Sequence, residues 1–443
     1  MLARKIIMIL VFSPLLLLMT PGSAWAAGEN GAISSADTTF IIMCTALVLL
    51  MTPALAFFYG GMVRRKNVLS IFMQCLVIMG VVAIQWIIIG YSLSFGPDIG
   101  GVIGNLEYMG LKNVGLEASG TIPHQLFVAF QMMFAILTAA LIAGAFAERM
   151  RFAAFLVFVL IWTTIVYDPL CHWVWGVGGW IERMGALDFA GGTVVHISSG
   201  IAGLVGAMVL GKRKGKDNSK EGIVPHNLPL TLLGASLLWF GWIGFNAGSA
   251  LAADGIAVTA LLVTVVCAGS ALLSWILAEW YHHGKPTALG AASGIIAGLV
   301  CITPAAGFVT PLSAIFMGLI VGPICYYFVS TVKHKIGYDD TLDVFGIHGV
   351  GGIVGALATG IFASLAVNPD GANGLLYGNP GLLITQTLAV AATIVFVAIM
   401  TYIILKSMSL FMSLRVTEEE EETGLDLVLH GEDAYWDASG FNS

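Results

Sequence analysis

The sequence predicts an all-α membrane protein of eleven transmembrane helices, built as a 5+5 inverted repeat plus one extra C-terminal helix behind a signal peptide. Three observations carry that expectation. First, 58% of the 443 residues are hydrophobic and only 10% are charged. A soluble domain carries roughly a quarter charged residues, so these charges are too few to face water at this length. Second, apolar runs of spanning length recur along the chain. Third, basic residues segregate to one side of those runs.

The first element stands apart. Arg4 and Lys5 precede the apolar run Ile6 to Met19, and Ala24-Trp25-Ala26 offers a small-x-small cleavage site. Residues 1–26 therefore read as a secretory signal peptide; the alternative is an uncleaved first helix. Either way, residue 30 emerges outside the cytoplasm. The spanning runs follow at 38–61, 68–95, 125–147, 152–175, 190–211, 228–250, 256–282, 287–303, 308–332, 344–366 and 381–412, of which 287–303 is the weakest. Crossing eleven times from outside puts fifteen Lys and Arg on one side, among them Arg64, Arg65, Lys66, Arg149, Arg151, Lys212 and Arg213, and leaves Lys112 and Arg183 on the other. That asymmetry predicts a multi-pass protein of the inner membrane, with its N-terminus outside and its C-terminus cytoplasmic. Residues 27–412 form the expected helical domain and 413–443 a cytoplasmic tail.

Composition also excludes classes. The net charge of −7 is weighted by the acidic run Glu418 to Glu422, and no basic face suits nucleic acid. The six cysteines are scattered without metal-ligand spacing; they read as small membrane-embedded hydrophobes. No nucleophile–base arrangement, metal cluster or phosphate loop points to an enzyme or a cofactor. The 54 glycines suit helices that pack closely in lipid.

A short internal repeat points to function. His196 to Gly203 and His348 to Gly355 both read H-x-x-x-G-I-x-G, on the fifth and tenth spans. Five spans per copy is odd, so the second copy is inverted in the membrane, and transporters place their sites near such an interface. Intramembrane histidines are costly without partners. His196 and His348 at equivalent positions are expected to face each other in the core, where imidazole can relay a proton; the plainer reading is a structural hydrogen bond between the two helices. Asp188 is placed to cap the fifth helix, with Asp343 as a loose counterpart before His348. Tyr167, Trp173 and Trp175 end the fourth span, as an interfacial belt or as a cup for a small cation. Trp242, Phe245 and Ser249 share a face of the sixth helix, and Gln131 and Phe134 share one on the third.

These residues and their neighbours resemble the ammonium transporter family, which includes the Rhesus proteins. The resemblance is carried by Asp188 through His196 to Arg213, by Phe57 to Gly61, Ala147 to Phe152, Gly241 to Ser249, Gly284-Lys285-Pro286 and Asp343 to Gly349, and its tail, Gly424-Leu-Asp-Leu with His430-Gly-Glu-Asp-Ala-Tyr435, resembles the bacterial branch. The resemblance implies a homotrimer in the lipid bilayer with one pore per subunit, ammonium or ammonia as substrate and methylammonium as its analogue. It implies recruitment of the cation by Trp175, Phe134 and Ser249 with support from Asp188. It further implies a gate of Phe134 and Phe245, twin pore histidines His196 and His348, and vestibule or near-pore positions at Tyr167, Gln131 and Trp242. A bare cation in hydrocarbon is prohibitively costly while neutral ammonia is not; the expected mechanism is deprotonation near the two phenylalanines and passage of ammonia past the histidines. The tail is expected to engage a cytoplasmic PII-type signalling protein. Two local departures stand out: the Trp175–Asp188 segment is one residue longer than the bacterial pattern, and Asp168 adds a carboxylate beside Tyr167.

Overall fold

Polar caps and prolines mark where the helices start. Ser34, Asn227, Asp254, Thr287, Thr310 and Asn379 each accept a hydrogen bond from an amide in the first turn of the helix that follows. Pro229, Pro311 and Pro380 occupy first-turn positions, where a missing N–H costs nothing. The computed structural model describes residues 32–215 and 224–435; the expected signal peptide lies outside these residues.

Among the described residues, ten helices are long and apolar enough to cross a membrane. They are α1 (Ser35–Met62), α2 (Arg65–Phe95), α3 (His124–Phe146), α4 (Phe152–Arg183), α5 (Gly192–Leu210), α6 (Leu228–Gly248), α7 (Gly255–His283), α9 (Pro311–Ile336), α10 (Phe345–Phe362) and α11 (Pro380–Ser409). The weakest expected span forms α8, Ala288–Ile302, of 15 residues. At 1.5 Å per residue it covers about 22 Å, short of a hydrocarbon core of roughly 30 Å. Two small hairpins, β1–β2 (Asp98–Ile99, Ile103–Gly104) and β3–β4 (Ala118–Ser119, Ile122–Pro123), sit between α2 and α3. The tail forms a short helix, α12 (Glu418–Thr423), opened by a capping box between Thr417 and Glu420.

Small residues decide the packing. α1 lies along α6, where Gly234, Gly241, Gly244 and Gly248 meet Phe58, Met51, Leu47 and Cys44 with no space for a side chain. Such close approach supplies the van der Waals contact that holds helices together in lipid. All six cysteines are buried and unpaired, as their scatter predicts.

The end of the molecule that carries Arg64, Arg149 and Arg213 is a lattice of paired charges. Glu148, at a left-handed φ of 71°, accepts from the Arg64 amide at 2.6 Å, Asn67 Nδ2 at 3.0 Å and Arg213 Nη1 at 2.7 Å. Burial alone would raise its carboxyl, but the charges of Arg213 and Arg64, with the hydrogen bonds from Asn67 and the Arg64 amide, together hold it down at about 2. Arg213 also donates its amide, Nε and Nη2 to Asp339. The tail binds this end throughout. Met150 pairs with Arg415 as an isolated bridge, Glu421 meets Arg64 and Arg415, and Glu420 meets Arg151. Lys214 meets Glu418 and Glu422. Asp426 accepts from the Ser70 amide at 2.7 Å, and the Tyr435 hydroxyl bonds His226 at 2.8 Å.

Candidate functional site

The site is made by α5 and α10, and both helices open in the same unusual way. Gly192–Ile197 and Phe345–Gly349 are π-helical turns, each followed by thirteen α-helical residues. π turns often mark functional positions because they re-aim a side chain out of the regular ladder. Each turn carries its histidine: His196 in the first, His348 in the second.

Both turns are capped by an aspartate eight residues before the histidine. Asp188 accepts from the amides of Gly191, Gly192, Thr193 and Val194 at 2.7 to 3.3 Å. On the second copy the cap is Asp340, which accepts from Phe345 N at 2.7 Å. The expected counterpart, Asp343, is instead paired with Lys333 at 2.6 Å. Asp340 is therefore the true repeat mate of Asp188, and the repeat extends to D-x7-H-x3-G-I-x-G. Proximity to His348 misled the sequence reading; equal spacing is what the geometry of a capped turn requires.

The glycines of the repeat explain the juxtaposition. Gly200 faces the backbone of His348 and Gly349, and a methyl placed at Gly352 would lie 3.2 Å from His196 Cβ. Each copy thus offers a glycine to the other copy's histidine turn. The two rings come to 5.3 Å between centroids, nearly parallel at 22°, with the Nδ1 atoms 3.3 Å apart. One Nδ1 donates and the other accepts. Among the described residues His196 Nε2 has no partner although it is buried, an arrangement that proteins seldom leave without a use.

Aromatic rings continue the line away from the histidines. Trp242 stacks on His196 at 5.2 Å and 21°, its Nε1 donating to Thr303 at 2.9 Å. Phe245 follows at 6.0 Å from His196. Phe134 lies 4.5 Å from Phe245, and Trp175 meets Phe134 edge-on at 5.9 Å. Trp175 is fixed by its Nε1, which donates to the Asp188 carbonyl at 2.8 Å. Gly191, at a φ of 111°, leaves the space its ring fills. Ser249 donates to the Phe245 carbonyl at 2.8 Å. Beside the histidines lies a narrow cavity of about 10 Å³ lined by Trp242, Leu137, Leu238 and Ile296.

The structure brings Trp175, Phe134, Phe245, Trp242, His196 and His348 into one continuous column. Asp188 belongs to it through its backbone, since its carboxylate is spent on the helix cap. Gln131 stands one turn from Phe134 with Oε1 unpaired and buried. Tyr167 is set apart, fully buried against Trp86 at 6.4 Å. Among the described residues no cluster of three or more His, Cys, Asp or Glu is arranged to hold a metal.

The family model described as Ammonium Transporter Family matches residues 39–435. The chain belongs to the ammonium transporter family. It is 57% identical over 405 residues to the ammonium transporter of Bacillus subtilis, covering 91% of this chain and 99% of the relative. It is 48% identical over 404 residues to ammonium transporter Amt1 of Archaeoglobus fulgidus, covering 91% and 100%. Among solved structures, Mep2 of Saccharomyces cerevisiae superposes with a TM-score of 0.82 at 36% identity, over 88% of this chain and 92% of that one. A chain described as a sensor Amt protein superposes at 0.83 with 30% identity, over 89% and 98%. Family membership makes this chain a multi-pass membrane protein that transports ammonium, and not an enzyme.

Proposed function

We propose that the aromatic column is the transport path and that each of its groups has one task. Trp175, Phe134 and Ser249 collect ammonium at the mouth, where a cation over an aromatic face gains ~1–2 kcal/mol as it sheds water. Asp188 supports this mouth indirectly, by fixing the α5 turn and the Trp175 contact. Phe134 and Phe245 close the way behind it. Deprotonation occurs beside these rings, because a neutral solute passes an apolar bore that a cation does not. His196 and His348 then hold ammonia through ring nitrogens, with the proton relayed separately across the Nδ1 pair. Potassium has no proton to shed and is rejected. Tyr167, Gln131 and Trp242 shape the vestibule and the wall.

The observation that carries this reading is the unpartnered His196 Nε2 at the end of a ring column with no charged lining. The test is methylammonium uptake into proteoliposomes, with potassium as control, for the wild type and His196→Asp. Altered rate and selectivity in the variant are expected; unchanged values for both remove the twin-histidine role. The likeness to a sensor Amt protein supports a second reading, in which binding outweighs flux. The same liposome assay separates the two.

The wider assignment is a homotrimer in the inner membrane, with the basic end in the cytoplasm, residues 1–26 as a signal peptide, 27–412 as the transporter domain and 413–443 as a regulatory tail. The positive-inside bias supports that orientation. The docking of Glu420, Glu421 and Asp426 on the basic end supports a tail that a PII-type protein could read. Comparing PII binding to full-length and tail-truncated protein tests that role.

A further inference from the structure

Asp168, the first residue after the π-helical turn Thr163–Tyr167 of α4, takes no part in the column. It is fully buried in the spanning part of the molecule. Gln85 Nε2 donates to its Oδ2 at 2.6 Å and also lies 3.2 Å from Thr164 Oγ1. The Ser94 hydroxyl stands beside the carboxyl and also beside the Cys171 thiol. Yet among the described residues neither Asp168 Oδ1 nor Ser94 Oγ has a hydrogen-bond partner of acceptable geometry.

The ionisable neighbours do not supply a counter-charge. The ionisable groups that act on it are the Tyr167 hydroxyl and the Cys171 thiol, and the nearby His172, Arg183 and Asp98 are engaged with one another. Arg183 is engaged by Asp98 at 2.8 Å. His172 is held between the Ser94 carbonyl and Asp98, both at 3.0 Å. Among the described residues no cation acts on the carboxyl. A buried carboxylate without a counter-charge is among the costliest groups a membrane protein can hold. A single carboxylate with one amide and one hydroxyl also offers too few oxygens to replace the shell of a hard cation.

A proton on Oδ1 removes the uncompensated charge, and Oδ2 keeps the Gln85 amide. We propose that Asp168 is held protonated, and that in this neutral form it is a positioning residue for the outer aromatic site. It bolts the lower end of the segment Tyr167–Trp175 to α2. His172 fixes the middle of that segment through Ser94 and Asp98, and Trp175 fixes the top through Asp188. Trp175, one of the rings that meet the cation, is carried on this two-turn lever, so the footing of the lever sets the placement of that ring. This rests on the reading of Trp175 and Phe134 as the recruitment site.

Two measurements test it. Infrared spectra of carboxyl-labelled protein in liposomes at neutral pH should show a protonated-acid carbonyl band in the wild type that is missing in Asp168→Asn. Asp188 and Asp340 are present in both samples and cancel. No difference at that band overturns the proposal. In methylammonium uptake, Asp168→Ala should raise KM about tenfold, the scale of a lost buried hydrogen bond, with a much smaller change in kcat. Asp168→Asn, whose amide reproduces the neutral acid's donor and acceptor, should recover most of that loss. An Asn variant as impaired as the Ala variant overturns the positioning role. If the Ala variant does not fold, the infrared comparison still decides. Failure of wild-type uptake would instead remove the transport reading on which this rests.

Discussion

The histidine column between α5 and α10 and the charge lattice at the basic end are both buried and both polar, yet they follow opposite rules. In the lattice buried charges meet their opposites, Glu148 with Arg64 and Arg213, and Arg213 with Asp339, while the buried Arg149 is held by carbonyls and by Thr341. In the column the groups are neutral rings, and His196 Nε2 is left without a partner. Satisfied groups hold structure, whereas an unsatisfied group facing a cavity is available to something that passes. The comparison predicts that damage to the lattice lowers stability first and damage to the column lowers transport first.

The largest expected effect falls on the lattice. Arg213→Met leaves Glu148 and Asp339 buried with only part of their compensation, which costs about 3–5 kcal/mol. A large drop in the detergent melting temperature is expected, and Glu148→Gln added to Arg213→Met should recover part of it. An unchanged melting temperature would erase the contrast between the two regions.

Acid should act on the same place. The Glu148 carboxyl sits at about 2 against an ordinary 4.5. A depressed carboxyl contributes stability that is full above its unfolded value and is lost as pH falls toward its folded value. That places the loss between pH 4.5 and 2, at about 3 kcal/mol. Melting curves across that window, for the wild type and Glu148→Gln, should converge at the acid end.

The smallest energy, with the clearest functional mark, belongs to the mouth of the column. Trp175→Leu removes a cation–π face worth ~1–2 kcal/mol. KM for methylammonium should rise roughly tenfold, with little change in melting temperature because the site remains packed. A melting-temperature loss as large as that of Arg213→Met would show the column to be structural as well.

Much of this was legible in the sequence, and the reasons are specific. The long runs stand out because lipid permits no polar interruption, and α8 was marked as the weakest because it is short. His196 and His348 were legible because an intramembrane imidazole is rare and theirs share a motif. Asp340 was missed because Asp343 lies nearer the histidine, and only the capped turn reveals that eight residues is the required spacing. The π turns leave no trace, since five or six residues are too few to tell one helical period from another. Glu148 and Arg213 look like ordinary loop charges until Asp339 arrives from far along the chain. Gln85, Ser94 and Asp168 form a set only once α2 and α4 lie side by side.

The docked tail has a consequence for how the molecule is made. Each hydrogen bond and ion pair named above from residues 415–435 to the rest of the chain ends on residues 64–226, far earlier in the chain. During synthesis those segments are finished early and then wait, their arginines and lysines without these carboxylates, until residues 415–435 leave the ribosome. The stitch therefore reports that the chain has been read that far. A chain that stops early lacks the clasp and exposes the basic face, which offers quality control a direct mark of an incomplete product.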